Sequence, residues 1–363
     1  MHFKKNKWFT PLTIFFCFAL YFCSGISFAT IHNIPDWVAM IIFYGIILVG
    51  IIIYILVINF TPLKRIQRKI KKQENPYSKI SIFINEYLPE SKKRMPRTIY
   101  KYVSLFNQDE KDREEIKKEK EDKNNERLSS LKNNQLWNAR SDKFNDPFEK
   151  FPYIYDGNIT LCMIDFQTSW LDYVTDVRAH TYMCSFSEVN NSVSMWAHYA
   201  NGFQGFCLEY EVIKKENLWN VTYDWGRHCF GSEFPKINIA YQKGIISKEE
   251  RDRQLITLHK YWSTFKSEDW KYEREIRALF YLPEINTNGI NLDLNTIGLK
   301  IKSIIIGCEC SQQNQERLMQ IANQLNIPVK KVMLNYNGTN YIKFDDLFTP
   351  NHTEILENQE ILK

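Results

Sequence analysis

Charged side chains alternate along one apolar segment, "YEREIRALFYL" at residues 272–282. The alternation predicts a strand on which Glu273, Glu275 and Arg277 share one face, with about 7 Å between successive Cα atoms. Two carboxylates and a guanidinium at this spacing form either a functional site or a set of surface ion pairs.

The stretch "SDKFNDPFEKF", residues 141–151, predicts a strand-to-helix corner. Asp146 suits the N-cap, Pro147 the first helical position, and Glu149 completes a capping box, while Asn145 and Asp146 make the turn. Since a helix amino terminus beside a strand end also attracts anions, we expect this corner both to stabilise the fold and to contact a ligand.

Other reactive side chains leave further alternatives open. Cys184 or Cys207 with His198 would suit nucleophilic catalysis, although His198 beside Trp196 is more typical of an ordinary helix residue. A set of carboxylates would suit a hard divalent cation: Asp146, Glu149, Glu188, Glu209 and Glu273. The spacing of His228-Cys229 and Cys308-x-Cys310 does not match a structural zinc site, so no metal is predicted.

The first 63 residues predict a membrane hairpin. Residues 8–29 and 37–60 contain no charged side chain, and each run exceeds the roughly 20 apolar residues that cross a bilayer. The basic residues at 64–72 favour the cytosolic side, which predicts a multi-pass protein of the inner membrane with most of the chain in the cytosol. Alternatively, residues 1–29 are a cleaved signal peptide.

The charge distribution bounds the partners. The net charge is +5, but residues 1–72 hold nine Lys or Arg and one Asp, so the remainder carries 38 basic and 41 acidic side chains, or −3. A mildly acidic domain argues against nonspecific nucleic-acid binding, which needs a basic surface. The basic cluster is expected to contact the lipid bilayer instead.

The rest of the chain predicts one α+β domain with a mixed or antiparallel sheet and peripheral helices. Residues 64–97 are interpreted as a basic juxtamembrane segment and linker, 98–345 as the domain, and 346–363 as a tail. The charged run at 109–127 predicts a solvated helix, and no Gly-rich phosphate loop is present. A further helix is predicted at about 312–325.

Several motifs occur in an order typical of one bacterial family. They are "IYKYVS", "WNARSDKFNDPFE", "MCSFSE", "MWAHYANGFQGFCLEYE", "KSEDWKYEREIR" and "SIIIGCE". On these motifs the chain resembles the family called domain of unknown function 2971, over about residues 99–337. The name of that family assigns no activity.

A looser resemblance is to ADP-ribosyltransferase-like folds. It implies that Lys101 or Arg140 holds a pyrophosphate, that Glu275 contacts the ribose and stabilises an oxocarbenium-like transition state, and that Glu273 orients the acceptor. Ser141 takes the place of the Ser on the second strand. The full set implied for ligand binding is Lys101, Tyr102, Arg140, Asn145, Asp146, Trp196 and His198.

The resemblance implies NAD as the substrate, with ADP-ribose transferred to a protein or nucleic-acid acceptor or released by hydrolysis. By analogy, a tethered domain of this kind suits bacterial stress or phage defence. Two alternatives remain open: a non-catalytic module that senses a nucleotide, and a hydrolase that uses a carboxylate-bound metal.

Overall fold

The structure is a computed structural model that describes residues 44–45, 47–50, 62–144, 175–224 and 233–350. The chain divides into two units, residues 1–72 and residues 73–363. Within the first unit, residues 44–45 and 47–50 are helical, and a separate helix, α1, spans Pro62–Lys72.

The predicted transmembrane hairpin is not upheld. Its first span, 8–29, lies outside the described residues, and of the second span, 37–60, only residues 44–45 and 47–50 are described. Among the helices that are described, none has the length and apolar character to cross a bilayer. Helix α1 has 11 residues and extends about 17 Å, which is too short. This finding contradicts the predicted anchor and the predicted location in the inner membrane.

The second unit is an α+β domain, as predicted. Its described strands are β1 Thr98–Val103, β2 Gln135–Arg140, β3 Thr181–Ser187, β4 Phe206–Val212, β5 Leu218–Asn220, β6 Thr222–Asp224, β7 Phe265–Ser267, β8 Glu275–Tyr281, β9 Gly289–Asp293, β10 Leu299–Ile306, β11 Val329–Leu334 and β12 Ile342–Phe348. Its helices with both ends described are α2 Pro76–Ile82, α3 Leu88–Lys92, α4 Glu114–Lys132, α5 Val193–Tyr199, α6 Glu233–Gln242, α7 Lys248–Trp262, α8 Leu294–Ile297 and α9 Gln312–Leu325, and residues 175–179 are helical as well.

Ten of these strands form one mixed sheet. Its order is β12, β11, β10, β4, β1, β3, β2, β9, and β8 pairs with both β3 and β5. The β10–β11 pair is parallel and the other pairs of this sheet are antiparallel. Strands β6 and β7 form a separate parallel pair.

Strand β3 lies at a fork in this sheet. Strand β8 pairs with β3 along its whole length, from Thr181 to Ser187. On the other side of β3, strands β1 and β2 pair with different residues along the strand. Strand β2 pairs with Tyr182 and Met183 of β3, and β1 pairs only with Ser187 of β3. Strand β1 then continues beside β4 and β2 beside β9, so the two diverge and leave an opening over the middle of β3.

The segment predicted as a linker is helical. Helix α2, a π turn at Phe83–Tyr87 and helix α3 follow one another without a break. Pro76 begins the first helix and Pro89 lies in the first turn of α3, where a missing backbone N–H is tolerated. The apolar side chains of Ile80, Ile84 and Leu88 are buried in the second unit, so packing overrides the proline signal.

Two other boundaries differ from the predictions. Strand β8 begins at Glu275, and Glu273 ends a 3-10 helix, Glu268–Glu273, rather than lying on the strand. Strand β12 extends to Phe348, across the predicted start of the tail at residue 346. The charged helix and the helix predicted at 312–325 are confirmed as α4 and α9.

Candidate functional site

A pocket of about 300 Å³ lies at the fork between β1 and β2. Strands β1, β2 and β3 supply most of its walls, and the rest comes from residues 143–144 after β2, helix α5, strand β7, the 3-10 helix before β8 and the first residue of β8. Its lining is Tyr100, Lys101, Tyr102, Trp137, Ala139, Lys143, Phe144, Met183, Cys184, Ser185, Phe186, Ser187, Met195, Tyr199, Lys266, Trp270, Glu273 and Glu275. The volume is at the lower end of the range for small-molecule sites.

Lys101 places a cation at the fork. Its Nζ donates to the carbonyl oxygen of Ser185 at 3.1 Å, in the part of β3 between the β1 and β2 pairings. The same Nζ lies 5.7 Å from the centroid of the Phe186 ring. An ammonium group has three donor hydrogens, so this bond leaves Lys101 able to contact an anion. Lys143, half-exposed and 3.7 Å from Asp142, adds a second cation to the lining.

Glu275 is held by Arg277 at the floor of the pocket. Arg277 donates from Nε to Oε1 at 2.7 Å and from Nη2 to Oε2 at 2.9 Å, a bidentate pair. Both residues are buried, with 5% and 1% of their surfaces exposed. Arg277 also donates to the carbonyl oxygen of Ser263 at 2.6 Å, so the guanidinium is fixed in place. The pair is therefore internal, not one of the surface ion pairs considered above.

Glu273 meets Glu275 through a shared lysine. The Nζ of Lys266 lies 2.6 Å from Oε2 of Glu273 and 3.2 Å from Oε2 of Glu275. The other oxygen of Glu273 accepts a short hydrogen bond from the Tyr199 hydroxyl. Lys266 also lies 4.8 Å from the centroid of the Trp270 ring. One cation and one hydroxyl therefore contact Glu273, and no guanidinium contacts it among the described residues.

The pKa values of the two carboxyl groups are shifted in opposite directions. Burial raises the pKa of Glu273 above its ordinary value of 4.5, the charge of Glu275 adds to this, and Lys266 opposes it. Burial would also raise the pKa of Glu275, but the charge and hydrogen bonds of Arg277, together with Lys266, outweigh it and lower that pKa to about 2. Burial and the bond to Glu273 raise the pKa of Tyr199. A pair of carboxylates with separated pKa values is typical of acid–base sites.

Local backbone signals explain how these side chains meet. Ser267 caps the 3-10 helix through the N–H of Asp269, and Arg274 ends it in the left-handed region with a φ of +47°. This turn at Arg274 lets Glu273 and Glu275 reach Lys266 from two different elements. Ser192 caps α5 through the N–H of Met195, which fixes the helix that carries Tyr199.

The structure brings together four of the predicted site residues. Lys101, Tyr102, Glu273 and Glu275 line the pocket, and Tyr102 donates its hydroxyl to the carbonyl oxygen of Val189 at 2.9 Å. The two residues of β1 are distant in sequence from the two carboxylates, and the order of the motifs does not by itself reveal their distances.

Other predicted site residues do not line the pocket, and their contacts are structural. Arg140 forms a bidentate pair with Asp142, at 2.7 and 3.1 Å. Ser141 is buried and donates to the carbonyl oxygen of Arg178 at 2.9 Å. Trp196 is buried behind Tyr102, with 5.2 Å between their ring centroids. His198 is exposed and lies 6.3 Å from the Tyr272 ring. The predicted residues Asn145 and Asp146 lie outside the described residues.

Sequence reasoning missed four important members of the site: Trp137, Lys143, Tyr199 and Lys266. Lys266 lies seven residues before Glu273 in "KSEDWKYERE", and the charge spacing there was a usable signal. Tyr199 offered none, because its contact with Glu273 spans 74 residues.

The residues of the alternative Cys–His pair and of the alternative metal sites are not brought together among the described residues. Cys207 is fully buried, and burial raises the pKa of its thiol, while His198 faces outward. Glu209 contacts Ser303 and Lys302, at 2.7 and 3.2 Å. Across the described ranges no group of three or more His, Cys, Asp or Glu side chains is arranged to hold a metal ion. His228 and Cys229, like Asp146 and Glu149, are outside those ranges.

Residues 195–278 match the family model described as "Protein of unknown function (DUF2971)", which supports the predicted family. The matched segment carries the charged floor of the pocket, from Tyr199 through Lys266 and Glu273 to Arg277, while the walls on β1, β2 and β3 lie before it. No curated protein and no solved structure shows significant similarity to the chain. These comparisons do not support the resemblance to ADP-ribosyltransferase folds or a membrane anchor.

Proposed function

We propose that the pocket binds a nucleotide of the NAD type and cleaves its N-glycosidic bond, with Glu273 as the catalytic carboxylate. The observation that carries the proposal is the pair of carboxylates at the pocket floor, which share Lys266 but have pKa values shifted in opposite directions. Such a separation supplies one group that stays ionised and one that holds a proton to a higher pH than an ordinary carboxylate.

The proposed step is hydrolysis. The bond between C1′ of the ribose and the nicotinamide nitrogen breaks, and its electron pair leaves with the ring, which becomes neutral. The ribosyl group passes through an oxocarbenium-like state, and a water oxygen bonds to C1′. Glu273 accepts the proton from that water, because burial raises its pKa and makes it a better base than an ordinary carboxylate. An acceptor hydroxyl in place of water would give ADP-ribosyl transfer.

Glu275 has a different part in this proposal. Its two oxygens are engaged by Arg277, and it contacts Lys266 as well. It therefore acts as a positioning residue that holds Lys266 against Glu273. The resemblance to ADP-ribosyltransferase-like folds implies the transition-state role for Glu275, whereas in the proposed mechanism Glu275 is a positioning residue and Glu273 is the base.

Two lysines of the pocket lining suit phosphate. Lys101 keeps donors available beside its bond to Ser185, and Lys143 is half-exposed at the same opening. A nucleotide phosphate held by these two lysines would be anchored at one end, with its ribose directed to the floor.

The test is nicotinamide release from NAD by the purified full chain, compared with Glu273→Gln. Loss of the base should lower the rate by about 10²- to 10⁴-fold while the melting temperature stays close to that of the parent. Glu121→Gln is the matched control, because Glu121 pairs with Arg317 on the surface and should leave the rate unchanged. Absence of release from the parent protein, or a Glu273→Gln variant of full activity, would contradict the proposal.

A second candidate is a nucleotide-binding module without turnover. The bidentate engagement of Glu275 by Arg277 favours it, since that carboxylate is already neutralised. In this case NAD or a mononucleotide raises the melting temperature of the full chain, as binding to the native state requires, and no nicotinamide appears.

A further inference from the structure

Trp137 has an unusual environment at the mouth of the pocket. Along β2, its neighbours Leu136 and Asn138 are buried, whereas Trp137 points to the other face and is 51% exposed. It lines the same pocket as Ala139, two residues further along that face. An indole with half of its surface exposed beside a small-molecule pocket is a contact surface of the kind that ligands use.

Gly289 supports the indole from behind. It is the first residue of β9 and pairs with Ala139, so it is a diagonal cross-strand neighbour of Trp137. A Cβ atom built at Gly289 would stand within 2.8 Å of three ring atoms of Trp137, Cζ2, Cε2 and Cη2. The ring therefore lies directly over the glycine, with one side against β9, and its exposed surface is on the other side.

We infer that Trp137 is the stacking platform for the planar ring of the ligand, and that Gly289 is a positioning residue that lets the indole take this place. The inference deepens the proposed function and depends on it for the ligand class. Stacking is sequence-tolerant among bases because every base has a π face, so the platform selects for a planar ring and not for one particular base.

The experiment measures dissociation constants by calorimetry for the full chain with three probes: NAD, AMP and ribose 5-phosphate. Trp137→Ala should weaken NAD and AMP by about tenfold or more, the usual size of a base-stacking contact, and leave ribose 5-phosphate unchanged. Trp137→Phe keeps an aromatic face and should retain most of the affinity. Equal affinities of Trp137→Ala and the parent for NAD and AMP would overturn the inference.

Gly289→Ala tests the positioning role without touching the ligand. The added methyl displaces the indole, so NAD and AMP should weaken as in Trp137→Ala, and the double variant should be no weaker than either single one. A Gly289→Ala variant with unchanged affinity would remove the positioning role. Aromatic–glycine pairs also stabilise edge strands, and a purely structural pair would lower the melting temperature with no change in the dissociation constants.

The outcomes separate this inference from the proposed cleavage. Glu273→Gln should lower nicotinamide release by about 10²- to 10⁴-fold and keep nucleotide affinity. Stacking that depends on Trp137, with no release from the parent protein, would support the inference and contradict the cleavage. Nicotinamide release by the parent protein, together with an unaltered nucleotide affinity in Trp137→Ala, would support the cleavage and contradict the inference. A parent protein that binds neither NAD nor AMP overturns both.

Discussion

Strands β8 and β10 are both inner strands of the sheet, and they bury different chemistry. Three isoleucines at the end of β10, Ile304, Ile305 and Ile306, are completely buried between β4 and β11. Strand β8 lies between β3 and β5 and buries Glu275 and Arg277. Apolar burial of the first kind stabilises a fold at about 25 cal/mol per Å², whereas burial of ions is costly unless they are paired.

The difference indicates which strand is shaped by packing alone. Replacing a buried ion pair with apolar residues is often neutral or stabilising. A gain in stability therefore does not explain why β8 carries this pair. Of the charged residues of β8, Glu275 lines the pocket and Arg277 contacts Glu275, whereas those of β10, Lys300 and Lys302, are exposed. This contrast favours a role in the site for the ions of β8.

The largest expected effect is on β8. Arg277→Ala leaves Glu275 buried without its bidentate partner and should lower the free energy of unfolding by about 3–5 kcal/mol, measured by chemical denaturation. The double variant Glu275→Leu, Arg277→Met should recover most of this loss, because no buried charge is then left unpaired. A loss below about 1 kcal/mol in Arg277→Ala would show that the two strands do not differ as described.

The effect of pH on stability should be smaller than the effect of Arg277→Ala. As the pH falls, the free energy of unfolding should first rise and then decline. The raised pKa of Glu273 means that its contribution to the free energy of unfolding increases as the pH falls through that pKa towards 4.5. The lowered pKa of Glu275 means that its contribution is present above 4.5 and is lost as the pH falls to about 2. Unfolding at several pH values should show that Glu273→Gln removes the rise and keeps the decline; a rise that survives would contradict the assignment.

The smallest effect should come from β10. Ile305→Val removes one methylene group from the core and should cost about 0.5–1.5 kcal/mol in denaturant unfolding. Since Ile305 is not in the pocket lining, the dissociation constants for NAD and AMP should match those of the parent. Loss of nucleotide affinity in this variant would erase the functional contrast between the strands.

Elements with strong local signals were predictable from the sequence. Helix α9 begins after Ser311, whose side chain caps it, and ends at Asn326 in the left-handed region, so its bounds match those predicted. Strand β12 was missed, since its centre alternates poorly and most of its side chains are exposed. The helices between residues 76 and 92 were missed because proline signals were weighed above an apolar face that only tertiary packing reveals.

The candidate site was predictable in part. Glu273, Glu275 and Lys101 line the same pocket; the charge spacing at residues 272–282 is a signal for the two carboxylates, whereas the order of the motifs does not by itself place Lys101 beside them. The proposed division of roles between the two carboxylates was not predictable, because it depends on which one Arg277 contacts. A strict strand pattern also hid the turn at Arg274, which takes Glu273 off the strand.

The bond between Lys101 and Ser185 has a consequence for how this pocket can vary over evolution. Its acceptor is a main-chain carbonyl oxygen, so any residue at position 185 supplies the same partner at the fork. The position of the Lys101 ammonium group therefore depends on the pairing of the strands and does not depend on the side chain at position 185. Mutations at Trp137 or Lys143 can then alter which molecules are accepted while the site keeps its charge at Lys101.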